Sequence, residues 1–299
     1  MKKFRAILLC TLILVIGLSG SGCSQPKSSD QIVATTLPVY DFTSRLCEGT
    51  DLKVSQLVNE PVSCLHNYTL QVSQMRTVES AELLVISGAG FEGFLHDVIT
   101  SKEEIIDSST GITLICSSNE HGHAHGHKHD YHETAYDPHI WLSPVNAQTM
   151  VNNIADGLLT KYPQYREKIS LNRQNLIHKL EELNEYGIKQ LSSLSCRDLI
   201  TFHDGFHYLA DSFDLHIVKA IEEEPGSETS AAELKELITF VCSHDLPAIF
   251  TEANGSDASA RVISAETGCA VHSLDMIMYG TDYFEAMYHN IDTLKEALG

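Results

Sequence analysis

The sequence predicts an α/β protein of two lobes, each a mainly parallel sheet with covering helices, joined by a long helix. Three observations carry this. The chain has 299 residues, and roughly 150 residues make an ordinary domain. Strand-like and helix-like segments alternate in both halves, the pattern of parallel sheet wrapped by helices. Between the halves runs one helical pattern of about 28 residues, which at 1.5 Å per residue spans roughly 42 Å.

Taken in order, residues 1–22 read as a signal peptide. Met1-Lys2-Lys3-Phe4-Arg5 is basic, and Ala6–Leu18 is an apolar run of 13 residues, long enough for a signal core and too short for a bilayer span. Ser19-Gly20-Ser21-Gly22-Cys23 resembles a bacterial lipobox, with Gly20 where Leu is usual, and makes Cys23 the expected lipidation site. Residues 23–30 form a lipid-anchored polar tether. The expected location is the extracytoplasmic face of the cell membrane.

The N-terminal lobe, residues 31–143, starts with a strand at Ile32–Thr36 and a helix at Val39–Cys47. Lys53–Val58 reads as a strand, Leu70–Ala81 as a helix and Glu82–Ser87 as an apolar strand. Phe91–Thr100 reads as a helix and Ile112–Ile115 as a further strand. Residues 144–192 are helical: Val145–Lys161, then Gln164–Ser192 after Pro163, with Ile169, Leu176, Leu180, Leu183 and Ile188 near helical spacing and only Gly187 interrupting. The C-terminal lobe, residues 193–299, has strands at Asp198–Phe202, Ile217–Ile221, Ala248–Glu252 and Ala270–Leu274. Its helices are Gly205–Ser212, Ser230–Ser243, Ser256–Thr267 and Tyr283–Leu298. Ligands of such sheets bind beyond the carboxyl ends of the strands, so the interlobe cleft is the expected site.

Charge excludes one class of function. There are 20 basic and 40 acidic residues, a formal charge of -20. Losing residues 1–22 removes Lys2, Lys3 and Arg5, leaving 17 basic against 40 acidic residues and a charge of -23. Nucleic acid is therefore not an expected partner, because its binders need basic surface. Six cysteines remain in the exported body, Cys47, Cys64, Cys116, Cys196, Cys242 and Cys269; six allow about 15 pairings, and sequence does not choose among them.

Histidine is the anomaly, at 16 residues. His66 follows a strand in a loop, His139 precedes a helix, His203 ends a strand and Asp275 follows one. Three imidazoles and a carboxylate make a plausible tetrahedral Zn²⁺ set. His207, four residues after His203, would share its face on a helix and reads as a supporting or surface residue. Residues 121–132 read HGHAHGHKHDYH, with His121, His123, His125, His127, His129 and His132 in an unpatterned tract suited to auxiliary, weak metal binding.

These residues also carry a family resemblance that covers nearly all of the exported chain. Asp137-Pro138-His139-Ile140-Trp141-Leu142-Ser143-Pro144 is a close match to the central motif of the substrate-binding lipoproteins of bacterial zinc and manganese ABC transporters. His203-Asp204-Gly205-Phe206, Glu224-Pro225, Phe250-Thr251-Glu252, Glu266-Thr267-Gly268, Leu274-Asp275 and Tyr288-His289-Asn290 follow in family order. The resemblance implies two lobes on a rigid helix with the metal between them. It implies His66, His139, His203 and Asp275 as ligands, an ABC permease as partner, and a role as a high-affinity zinc receptor for uptake. Nitrogen at position 203 favours Zn²⁺ over Mn²⁺, which prefers oxygen. After His66 the chain runs Asn67-Tyr68-Thr69-Leu70, where relatives carry a Tyr-Glu-Pro-Thr-like stretch.

The alternatives are extracellular metal buffering or adhesion and, from another class, a zinc hydrolase. The chain has neither HExxH nor GxSxG, the motifs that would support hydrolysis, and offers only Glu252 as a general base. A monomeric binding protein rather than an enzyme is the expectation.

Overall fold

A computed structural model describes residues 31–62, 65, 68–116, 136–222, 229–280 and 282–299. The signal segment, Cys23, the tether, Cys64, His66, the histidine tract 121–132 and Glu224-Pro225 lie outside the described residues.

The first sheet contains β1 (Ile32–Ala34), β2 (Val54–Gln56), β3 (Leu83–Ile86) and β4 (Ile105–Asp107), all parallel, in the order β2-β1-β3-β4. The second contains β5 (Asp198–His203), β6 (His216–Glu222), β7 (Ala248–Glu252) and β8 (Ala270–Leu274), all parallel, in the order β6-β5-β7-β8. Both lobes thus reverse strand order beside their first strand, between β1 and β3 and between β5 and β7. That is the position where open α/β sheets leave a crevice at their carboxyl edge.

The helices follow their local signals. In the first lobe, α1 (Leu37–Leu46) takes Pro38 in its first turn and buries Leu37, Val39, Phe42 and Leu46. Next, α2 (Val72–Ser80) opens on reciprocal bonds between Gln71 and Gln74. The expected helix 91–100 is a 3₁₀ turn at Gly93–Leu95 followed by the single-turn α3 (His96–Ile99). The expected strand at Ile112–Ile115 is absent; the fourth strand is Ile105–Asp107 instead. At 112–115 the chain runs outside the sheet: Ile115 N–H donates to the Tyr208 hydroxyl at 3.0 Å and Ile115 C=O accepts from Asp137 N–H at 2.9 Å.

Two long helices then cross the molecule. In α4 (Pro144–Lys161), Ser143 Oγ accepts from Asn146 N–H and Pro144 occupies the first turn. The linking helix α5 (Arg166–Leu191) has 26 residues, about 39 Å at 1.5 Å each. It buries Ile169, Leu176, Leu180, Leu183, Gly187 and Leu191 in one stripe and leaves Ile188 exposed. In the second lobe, α6 (His207–Ser212), α7 (Ala231–Ser243), α8 (Ala258–Thr267) and α9 (Tyr283–Leu298) cover the sheet. Ser230 and Glu233 form a capping box at α7, Gly268 ends α8 at φ 78°, and Asp282 accepts from Phe284 and Glu285 N–H at the start of α9. Among the described residues, no helix is long and apolar enough to cross a membrane.

The second sheet is covered on both faces, as parallel sheets require. Leu199, Ala248, Phe250 and Leu274 join a core that continues through α4 and α5 into the first lobe. Ile200, Phe202 and Ile249 point the other way, into a smaller core with α7 and α8. Cys47, Cys116, Cys196, Cys242 and Cys269 are free thiols; Cys47 and Cys269 are buried, and burial pushes the Cys47 thiol up to about 12.

Candidate metal centre

His203 is the last residue of β5, and strand register explains its surroundings. Thr201 of β5 pairs with Phe250 of β7. Two residues further on, His203 and Glu252 are therefore cross-strand neighbours on one face of the sheet. The Nδ1 of His203 stands 3.4 Å from Glu252 Oε1, with both side chains buried.

His139 reaches the same place from the other direction. It follows Asp137-Pro138 and caps the 3₁₀ turn Ile140–Leu142 that leads into α4. Its Nδ1 lies 2.7 Å from Asp137 Oδ1, and its backbone N–H donates to the same oxygen at 2.9 Å. Phe91 and Trp141 pack edge-on against the ring at centroid distances of 5.5 and 5.4 Å. The His139 and His203 rings meet at 5.1 Å, nearly perpendicular at 85°, and their exposures are 0% and 1%.

Gly205 makes this approach possible. A Cβ there would lie 2.6 Å from His203 Cδ2, 2.7 Å from His203 Nε2 and 2.8 Å from His139 Cε1. Both rings thus turn Nδ1 toward a carboxylate and converge over Gly205, His203 by its Cδ2–Nε2 edge and His139 by Cε1. A metal-binding histidine is arranged in this way, with Nδ1 held by a carboxylate and Nε2 offered to the ion.

Asp275 follows β8, as expected, and is half-buried. It lines a small pocket with Val62, Glu252, Ala253, Asn254, Met276 and Met278. Burial raises its carboxyl pKa, opposed by the Ile277 N–H and by His289. Among the described residues, no group of three His, Cys, Asp or Glu side chains stands close enough to hold a metal. The structure therefore brings His139 and His203 together, places Asp275 at the rim, and leaves His66 outside its description.

His207 does not share a helix face with His203, because His203 belongs to β5 and the helix begins only at His207. His207 Nε2 lies 2.7 Å from Asp204 Oδ1, and its N–H donates to Asp137 Oδ2 at 3.3 Å. Burial works against its protonation, but Asp204 and Asp137 outweigh burial and raise its pKa. It buttresses Asp137 from behind. The residues that sequence reading passed over are Asp137 and Glu252 as partners of the two imidazoles. The signal for Asp137 was its place two residues before His139; Glu252 became readable only with the β5–β7 register.

Two parallel α/β lobes on a long helix, with paired imidazoles at the carboxyl edge of the second sheet, define the bilobed α/β class to which this chain belongs. The chain belongs to the family described as "Zinc-uptake complex component A periplasmic" (ZnuA), which it matches over residues 32–297. It is 31% identical over 318 residues to the zinc-binding lipoprotein AdcA of Streptococcus pneumoniae, covering 99% of this chain and 61% of that protein. The chain thus spans about three fifths of that relative's length. A crystal structure of ZnuA is 29% identical, with a TM-score of 0.77 over 90% of this chain and 98% of that one. The Zn(II)-bound ZnuA-like domain of S. pneumoniae AdcA is 26% identical, with a TM-score of 0.75 over 89% and 98%.

Proposed function

We propose that this protein is an extracytoplasmic zinc receptor that captures Zn²⁺ in the interlobe cleft and passes it to an ABC permease for uptake. The observation that carries this is the pair His139 and His203, converging over Gly205 with a carboxylate at each Nδ1. His66 and Asp275 complete the donor set, and Zn²⁺ accepts three imidazoles and one carboxylate as a tetrahedral shell. Zinc-binding relatives of this family support the choice of metal. Function here is coordination and release, with no bond made or broken, so the protein is not an enzyme.

Residues 1–22 direct export, Cys23 carries the lipid and residues 23–30 tether a monomeric two-lobed body to the membrane. The histidine tract 121–132 is an auxiliary collector, because ligands on an unpatterned segment lose entropy when they gather around one ion.

Competition titration with a zinc chelator tests the reading, using the chain without residues 121–132 and the same chain carrying His203→Ala. Tight one-to-one binding lost in the substituted chain is the expected result. Equal, weak binding in both would place the main metal site in the tract and make the protein an extracellular metal buffer or adhesin.

A further inference from the structure

The turn Ser87–Glu92 leaves β3 at the carboxyl edge of the first sheet, beside β1, where the strand order reverses. Its backbone is unusual: Gly88, Ala89 and Gly90 all take left-handed angles, at φ 81°, 53° and 82°. Ala89 carries a Cβ, and such an angle persists only where the surroundings impose it. A Cβ on Gly88 would run into Asp107 Oδ1 and Ser109 Oγ. Successive N–H groups in a turn make a concavity suited to an anion, and the chain fills this one with its own carboxylate. Glu92 accepts from Ser87 N–H at 2.7 Å, from Gly88 N–H at 3.0 Å and from Thr35 Oγ1 at 2.7 Å. Ala89 N–H donates to Ser109 Oγ and Phe91 N–H to Gly88 C=O, both at 3.0 Å. Ser108 Oγ donates to Ser87 C=O at 2.9 Å.

This bracing delivers one side chain to the cleft. The Phe91 ring is 4% exposed and stands edge-on to His139 and Trp141, at centroid distances of 5.5 and 4.9 Å. Asp137 fixes Nδ1 of His139, but a contact at one ring atom leaves an imidazole able to tilt about it. Packing against Phe91 opposes that tilt. We propose that Phe91 is a positioning residue for metal capture. Braced by Glu92 at the edge of the first sheet, its ring holds the His139 imidazole in the orientation that Asp137 sets. This rests on the zinc-receptor reading above. Phe91 supplies no ligand atom; it removes motion that His139 would otherwise lose on binding, as packing around a preorganised site does. The strain at Ala89 is then explained, because a relaxed turn would leave the ring unsupported.

Chelator competition for Zn²⁺ on the full chain compares Phe91→Leu, Glu92→Gln and the two combined. The titrations run at about pH 8, above the value near 7 at which Glu92 loses its proton. Phe91→Leu keeps the position apolar but removes the ring, and affinity should fall about tenfold or more, the scale that supporting partners show in metal sites. Glu92→Gln leaves one acceptor oxygen for the three donors and should lose affinity too, by no more than Phe91→Leu. The combined variant should bind like Phe91→Leu alone, because Glu92 acts through that ring. Val78→Ala controls for plain destabilisation: Val78 is fully buried in α2, so stability to urea should drop while zinc affinity stays unchanged. Additive losses in the combined variant overturn the proposal, as does unchanged affinity in Phe91→Leu. An affinity loss in Val78→Ala equal to that in Phe91→Leu also overturns it, since general loosening would then suffice. If Phe91→Leu does not fold, unchanged affinity in Glu92→Gln overturns the proposal by itself. His203→Ala separates the two levels. Full zinc affinity kept there defeats the receptor reading and this proposal with it, whereas affinity lost there but kept in Phe91→Leu defeats only the positioning role.

Discussion

Asp137 and His139 are joined twice through a single oxygen: Asp137 Oδ1 receives the backbone N–H of His139 at 2.9 Å and faces its ring Nδ1 at 2.7 Å. The same carboxylate accepts the His207 N–H through Oδ2. Burial alone would push its pKa up, but the His139 ring and the N–H bonds outweigh this and hold it below the ordinary carboxylate range. An ionised acceptor buried there fixes the tautomer and orientation of the imidazole before any ion arrives.

Asp137→Asn should therefore weaken zinc binding about ten- to hundredfold, as loss of such partners does in other metal sites. Glu252→Gln should do less, since Glu252 Oε1 stands 3.4 Å from His203 Nδ1 whereas Asp137 Oδ1 is 2.7 Å from His139 Nδ1. Chelator competition on both variants gives the comparison, and a larger loss in Glu252→Gln would contradict the geometry.

Much of the C-terminal lobe was legible because its strands are apolar runs closed by polar turns. Ala248–Glu252, Ala270–Leu274 and Tyr283–Leu298 fall where the pattern places them. The N-terminal lobe was harder. Its fourth strand is three residues long, next to Glu103 and Glu104, while the more apolar Ile112–Ile115 pairs with a tyrosine hydroxyl and a loop instead of the sheet. Hydrophobicity says that such a segment is covered, not what covers it. At the site, His139 and His203 were visible from their motifs. Their carboxylate partners depend on a turn geometry and a strand register that no local pattern encodes, and neither does the bare backbone of Gly205.

Gly205→Ala tests that bare backbone. The new Cβ would meet both imidazole rings at less than 3 Å, so at least one ring must swing away from the cleft. We expect zinc affinity to fall about tenfold or more with the fold retained, measured by chelator competition alongside circular dichroism. Unaltered affinity would show that the rings reorganise freely when the ion binds.

Glu92 gives a pH signature independent of the metal. It is buried, accepting from Thr35 Oγ1 and Ser87 N–H at 2.7 Å and from Gly88 N–H at 3.0 Å. Burial nonetheless pushes its pKa up to about 7 from 4.5. The folded state then holds a proton that the unfolded chain releases between those values. Glu92 therefore contributes stability below about pH 4.5, which is lost as pH rises through 7, a change of about 3 kcal/mol. Urea denaturation from pH 4.5 to 8 should show this slope in the difference between wild type and Glu92→Gln. A flat difference would mean that the three donors keep Glu92 ionised throughout.

Gly187 explains the one break in the pattern of the linking helix. It lies on the buried stripe of α5, where a Cβ would stand 2.3 and 2.4 Å from Phe213 Cε1 and Cζ. Glycine costs helix propensity here, about 1 kcal/mol relative to alanine, and in exchange Phe213 packs directly on the helix backbone. On propensity alone Gly187→Ala would stabilise the protein; overpacking opposes this by about 1–3 kcal/mol. The clash involves ring carbons of a buried side chain, so the net effect should be destabilising. Phe213→Leu, in the Gly187→Ala background, removes the rigid ring and should restore part of the loss. A double-mutant cycle by urea denaturation measures this coupling. Additive effects would show that Phe213 simply moves aside, and that the glycine serves no packing purpose in the joint between the lobes.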